Sequence, residues 1–236
     1  MKLETFNFRF LIGGMVFPFL SLLNWVFLKL RFLAAGSVLM GYSYVRGASK
    51  IFVQSQTSIQ PGCWLDARQG KIFLGKNSRI RRGVLLSASD GEIIIGDHVS
   101  INAYCCLYGQ GKIIIGNGVL IAAHSRILSS SHIYDQREAP IFLQGFELKP
   151  TRIEDDVWLG TGVTVLGGIT IGKDAIIGAG AVVNTSIPPG EIWAGVPAGK
   201  IGLRKKGNEP LPPPGSKPES LDAPASLTQT QGAKAR

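Results

Sequence analysis

The stretch "IEDDVWLGTGVTVLGGITIGKDAIIGAGAVVNTSIP", Ile153 to Pro188, carries an aliphatic residue at every sixth position: Ile153, Leu159, Val165, Ile171, Ile177 and Val183. Four residues after each comes a second apolar or small one: Val157, Val163, Ile169, Ala175, Ala181 and Ile187. A period of six fits neither a helix of about 3.6 residues per turn nor the simple alternation of an amphipathic strand. It fits an all-β solenoid, in which each hexad is a short strand plus a corner and three hexads close one triangular coil. The aliphatic residue then fills the interior, and the small one sits beside it where the corner leaves little room. Glycine follows the aliphatic residue in many hexads, which suggests that the backbone turns sharply there.

Working back from this stretch, the same register gives the triplets Val53, Ile59 and Leu65; Leu74, Ile80 and Leu86; Ile95, Ile101 and Leu107; and Ile115, Ile121 and Ile127. Short inserts such as "SASDGE" and "YGQGK" lengthen the third hexad. Six coils at strand spacing make a prism about 28 Å tall. After Ile127 the rhythm stops. The next aliphatic position falls due at residue 133, yet register resumes at Ile153, so about twenty residues leave the prism. Long ordered loops on a rigid scaffold are usually functional. His132, one of three histidines, stands at the root of this one, just after the small position Ser131. Imidazole suits proton transfer near neutrality because its unperturbed pKa is about 6.5. The plain alternative is a loop histidine without a role.

The totals narrow the classes. Thirty glycines among 236 residues, with 8% aromatics, point to a turn-rich repetitive architecture and away from a helical bundle. A net charge of +9 suits anionic partners such as phosphates or acidic lipids. Nucleic acid is not expected, since no zinc-finger, RRM or helix-turn-helix signature accompanies the charge. Cys63, Cys105 and Cys106 form no CxxC and no disulfide framework, which favours a reducing cytoplasm, and all three read as buried small hydrophobes.

Three regions follow: an apolar N-terminal segment over 1–49, the solenoid over 50–206, and a tail over 207–236. The tail holds six of the thirteen prolines and no aromatic residue, and is expected to be disordered. Residues 10–28 contain no charge. As a helix they are about 28 Å long, enough for a bilayer core, but Gly13, Gly14 and Pro18 interrupt the run. The heavier basic flank (Lys29, Arg31, Arg46, Lys50) lies C-terminal, so if the segment spans, the rest of the chain is expected on the cytoplasmic side. An interfacial or re-entrant helix at the inner face of the cell membrane is the expectation. A full span, an arm packed on the domain and a cleaved signal peptide stay open.

The hexads, with "DDVWLG" and "AGVPA" closing the repeat region, resemble the left-handed parallel β-helix acyltransferases. Within these the chain is most similar to maltose and galactoside O-acetyltransferases and to the enzymes that acetylate bacterial surface polysaccharides. The likeness covers about residues 50–204, and the left hand of the coil is implied by it alone. In that family a histidine at the loop's root, in a pattern close to T-x-x-H-P, is the general base, and the flap ends P-x-x-I-x-x-x-V-W-I-G. Here the matching residues are Ser129, Ser130, Ser131 and His132, then Pro150, Ile153, Val157, Trp158, Leu159 and Gly160, with Ile133 in place of the proline.

The resemblance further implies that Asn102, one coil earlier, positions the acceptor, and that Trp158 packs near the thioester of acetyl-CoA. Backbone N–H groups at Thr161 and Ala179 would meet the acyl oxygen and the pantetheine arm. Lys200, Arg204, Lys205 and Lys206 follow the last coil, where the family binds the 3′-phosphate end of the coenzyme. Asp135 or Glu147 could orient the imidazole through its second nitrogen. Implied overall is a homotrimeric, acetyl-CoA-dependent, metal-free O-acetyltransferase of a sugar hydroxyl in surface-polysaccharide or lipopolysaccharide biosynthesis. N-acylation of an amino sugar or amino acid, and a non-catalytic scaffold, are the alternatives. A zinc carbonic anhydrase on the same scaffold would need His98, His124 and His132 to converge on one metal.

Overall fold

In the computed structural model the described residues are 9–204, with residues 9–21 described by their backbone only. The tail over 207–236 and Lys205 and Lys206 lie outside them.

Parallel pairing builds three faces. The first holds Val38–Leu39, Ser58–Ile59, Arg79–Ile80, Ser100–Ile101, Leu120–Ile121, Trp158–Leu159 and Ile176–Ile177, followed by Glu191–Ala194 and an antiparallel Gly199–Leu203. The second, of seven strands, runs from Tyr44–Arg46 to Val182–Val183, and the third, of six, from Ile51–Val53 to Thr170–Ile171. Register is strict: Ile80, Ile101, Ile121, Leu159 and Ile177 stack rung upon rung. Every aliphatic position of the hexads is buried except Val53, which is half-buried against the same core. The small positions Val157, Val163, Ile169, Ala175, Ala181 and Ile187 are buried too.

Two findings modify the expected picture. Val38–Leu39 and Tyr44–Arg46 pair with Ser58–Ile59 and Trp64–Asp66, so the first two faces begin a rung before the first triplet and the solenoid has about seven turns. The glycines after the aliphatic positions have a different cause from a sharp turn. A Cβ on Gly75 would stand 2.3 Å from the Gly96 carbonyl oxygen of the next coil, so the side chain is excluded by stacking. The left-handed corner residue comes two positions later, at Asn77 (φ 54°), and recurs at His98, Tyr104, His124, Asp156 and Asp174.

Helix α1 (Arg9–Ala34) lies across the first rungs. Leu28 and Phe32 are fully buried in the core, and Trp25 packs against it. Asn24 Oδ1 accepts from Ala48 N–H, while Arg31 and Trp25 Nε1 donate to the carbonyls of Ala48 and Gly41. Leu22, Leu23, Val26, Phe27, Leu30 and Leu33 remain exposed. Among the described residues no helix is long and apolar enough to cross a membrane; most of residues 10–28 lies outside the side chains described.

The break after Ile127 is a hairpin. Ser130–His132 pairs antiparallel with Phe146–Leu148, and a short helix α2 (Ile141–Gln144) lies between them. Lys149 N–H to the Ser129 carbonyl, 2.8 Å, closes its root before the chain rejoins the third face at Thr151–Ile153.

Candidate functional site

The corner joining the first face to the second carries most of the candidates. Its four residues in successive coils are Arg81–Val84, Asn102–Cys105, Ala122–Ser125, Gly160–Val163 and Gly178–Ala181, aligned by the rung-to-rung hydrogen bonds. Asn102 is half-buried, and its Nδ2 donates to the Ile121 carbonyl at 3.2 Å. That bond fixes the amide and leaves Oδ1 without a partner among the described residues. Thr161 and Ala179 occupy one column of this corner, both exposed, and their N–H groups donate to nothing else among the described residues. Trp158, half exposed, projects from the first face just before the corner. Two donor N–H groups, an anchored amide and an indole thus share one edge of the prism.

His132 does not. It leaves from the corner between the second and third faces, where its exposed ring lies 4.4 Å from that of Phe146. Neither ring nitrogen has a hydrogen-bond partner among the described residues. Glu147 pairs across from Ser131, on the opposite side of the ribbon, and its carboxylate is held by Lys149 at 2.7 Å. Asp135 acts on Lys149 as well, contributing to the raised pKa that Glu147 chiefly causes. Neither acid contacts the imidazole. The strand Cys106–Tyr108 separates the two corners by about 10 Å at about 3.3 Å per residue. Within one chain His132 and Asn102 do not meet.

Lys200 is paired with Glu191, and Arg204 with Asp156 (2.8 Å) and Asp174 (3.7 Å) at the corner between the third and first faces. Both cations already have carboxylate partners, and Arg204 stands at a different corner from Thr161.

The three histidines occupy three different corners, so they converge on no metal within a chain. Among the described residues no group of three potential ligands is gathered. Cys63 and Cys105 are buried, and that burial pushes their thiols up to about 11. Cys106 departs from expectation: it projects from the second face and is only half-buried.

Tyr104 and the run Arg79–Arg82 also border the corner that carries Asn102, and the spacing in sequence already implies it. Arg81 precedes Asn102 by 21 residues, which is one coil. Tyr104 stacks on His124 at 5.5 Å and 15° along the same corner.

The family described as "Bacterial transferase hexapeptide (six repeats)" matches residues 150–185 of the solenoid. The relatives that the chain matches include proteins named as acetyltransferases. A protein of Escherichia coli K12 named for O-acetyl transfer in lipopolysaccharide biosynthesis, WbbJ, is 34% identical over 43% of this chain and 56% of its own. Galactoside O-acetyltransferase of the same organism is 31% identical over 42% and 50%. The chain spans about half the length of the curated relatives it matches. A solved structure of AntD, an N-acyltransferase from Bacillus cereus with dTDP-4-amino-4,6-dideoxyglucose and coenzyme A, superposes with a TM-score of 0.54 at 22% identity. It covers 75% of this chain and 89% of that one, a likeness of fold.

Proposed function

We propose that the chain is an acetyl-CoA-dependent O-acetyltransferase of a sugar hydroxyl, working at sites shared between neighbouring copies in a closed trimer. One observation carries this. An exposed imidazole with both nitrogens free leaves one corner of the prism, while the anchored amide, the free N–H groups and Trp158 line another. When different patches of one chain complement each other and the rotation closes, a ring results, and a triangular prism suits a three-fold ring. The corner carrying Asn102 in one copy then faces the flap of the next.

In this arrangement His132 removes the proton from the acceptor hydroxyl as its oxygen attacks the thioester carbon. The oxyanion is stabilised by the Thr161 N–H, and Asn102 Oδ1 accepts from a second hydroxyl and fixes the ring. Collapse breaks the C–S bond, and the imidazolium returns its proton to the thiolate of coenzyme A. General-base help contributes about 10²–10⁴-fold and an oxyanion donor about 10²–10³-fold. The galactoside and lipopolysaccharide relatives support oxygen as the acceptor atom.

The exposed apolar residues of α1, with Lys29 and Arg31 beside them, support an attachment to the cytoplasmic face of a membrane, where polysaccharide precursors are assembled.

The test is release of coenzyme A from acetyl-CoA in the presence of sugar acceptors, for the parent and for His132→Ala. The variant is expected to lose at least about 10²-fold while its thermal transition stays within a few degrees. Unchanged turnover removes His132 from the base role, and absence of acetyl-CoA binding by the parent leaves a scaffold.

A further inference from the structure

The coil just before Asn102 reads "RIRRG", Arg79 to Gly83. Ile80 stacks under Ile101, and the Arg81 N–H donates to the Ile101 carbonyl, so Arg81 stands directly beneath Asn102 and Arg82 beneath Ala103. Rungs are about 4.8 Å apart. Arg79 and Arg81 are two residues apart in extended chain and project to the same side. None of the three forms an ion pair among the described residues, whereas Arg46, Arg68, Lys112, Lys149, Lys200 and Arg204 all do. Arg81 Nε is shut off from solvent and has no hydrogen-bond acceptor among the described residues.

Aromatic surface adjoins the cluster. A Cβ on Gly83 would stand 2.5 Å from the Tyr104 ring, so the glycine lets that ring lie against the arginine coil. Tyr104 is half exposed, and its N–H donates to the Arg82 carbonyl.

Position separates the cluster from the acyl donor. Thr161 lies three rungs above Arg82 in the same column and Ala179 four, while Asn102 stands between. An acceptor whose second hydroxyl is held by Asn102 would need to extend one further rung, about 4.8 Å, to reach the arginines. Three guanidiniums match the two or more negative charges of a phosphate or diphosphate better than the single charge of a carboxylate, and their planar forks suit phosphate oxygens.

We propose that Arg79, Arg81 and Arg82 bind the phosphate or diphosphate group of the acceptor, so that the enzyme acetylates an activated sugar in preference to a free neutral one. This rests on the O-acetyltransferase reading for the word acceptor. Glycosyl transfer would then follow acetylation, and a phosphoryl or nucleotidyl transfer would precede it.

The experiment is calorimetric titration of the full chain and of Arg81→Gln/Arg82→Gln with inorganic pyrophosphate, glucose 1-phosphate, UDP-glucose, glucuronic acid and methyl glucoside. Thermal melting confirms that the variant folds. Pyrophosphate and at least one phosphorylated sugar are expected to bind the parent and to weaken at least about tenfold in the variant. Tighter binding of UDP-glucose than of glucose 1-phosphate identifies a diphosphate; the reverse identifies a monophosphate. Equal affinity in parent and variant overturns the proposal, as does glucuronic acid binding as tightly as the phosphates. Displacement of pyrophosphate by free coenzyme A also overturns it, because the arginines would then serve the donor. Acetyl-CoA binding, titrated separately, reports on the transferase reading without reference to these residues.

Discussion

If His132 of one copy serves Asn102 of the next, two inactive variants can repair each other. His132→Ala and Asn102→Ala chains are co-expressed in equal amounts, and the unsorted trimers are assayed together after native mass spectrometry has checked that they assemble at random. A whole site needs an intact histidine from one copy and an intact asparagine from its neighbour. With random assembly of an equal mixture, each is present half the time, so about one quarter of all sites are whole. Against parents reduced by about 10²–10⁴-fold for the histidine, a quarter of full activity is unmistakable. Wild type mixed equally with the double variant gives a second reading. Shared sites again survive in about one quarter of cases, whereas sites contained in one chain survive in one half. Activity of the mixed single variants no higher than the average of the two parents, together with one half in the second mixture, would refute the reasoning. The two corners would then have to be brought together within one prism.

Other outcomes follow from packing and burial. Ile121→Ala empties a fully buried position in the middle of the first face, and should cost about 2–5 kcal/mol, read as a lower thermal or denaturant midpoint. With thiols raised to about 11, Cys63 and Cys105 are ionised in about one molecule in a thousand at pH 8. Mass spectrometry after iodoacetamide should therefore find Cys106 labelled first and the other two only in denaturant. Phe27→Glu with Leu30→Glu alters only exposed residues of α1, and should abolish cosedimentation with anionic lipid vesicles while leaving the thermal transition in place. Undiminished cosedimentation would remove this helix face from membrane contact.

The solenoid was readable because a side chain pointing inward every sixth residue leaves a direct mark on sequence. The first rungs carry that mark too: Leu39, Val45 and Ile51 are six apart. Only the shift from Ile51 to Val53 on the third face hid it. The glycine rule was readable as a pattern but not as a cause, since what excludes the side chain at Gly75 is a carbonyl 21 residues ahead in sequence. The length of the excursion after Ile127 was plain; its hairpin was not, because Phe146–Leu148 shows no alternation and is exposed throughout. That His132 and Asn102 belong to different corners follows from counting hexads within a triplet. Arg204 could not be judged the same way, for its partner Asp156 lies 48 residues back in the chain.

A rod of stacked parallel strands has two raw ends, each a template on which another chain could continue the pile. Here both are closed. At the far end Glu191–Ala194 completes the first face, Ala198 N–H donates to Val182 on the second, and Ile187 exchanges hydrogen bonds with Thr170 and Gly172 on the third. At the near end α1 sets Leu28 and Phe32 over the opening like a stopper. Growth into a fibre is thus blocked along the axis, and sideways association at the corners is the direction left for assembly.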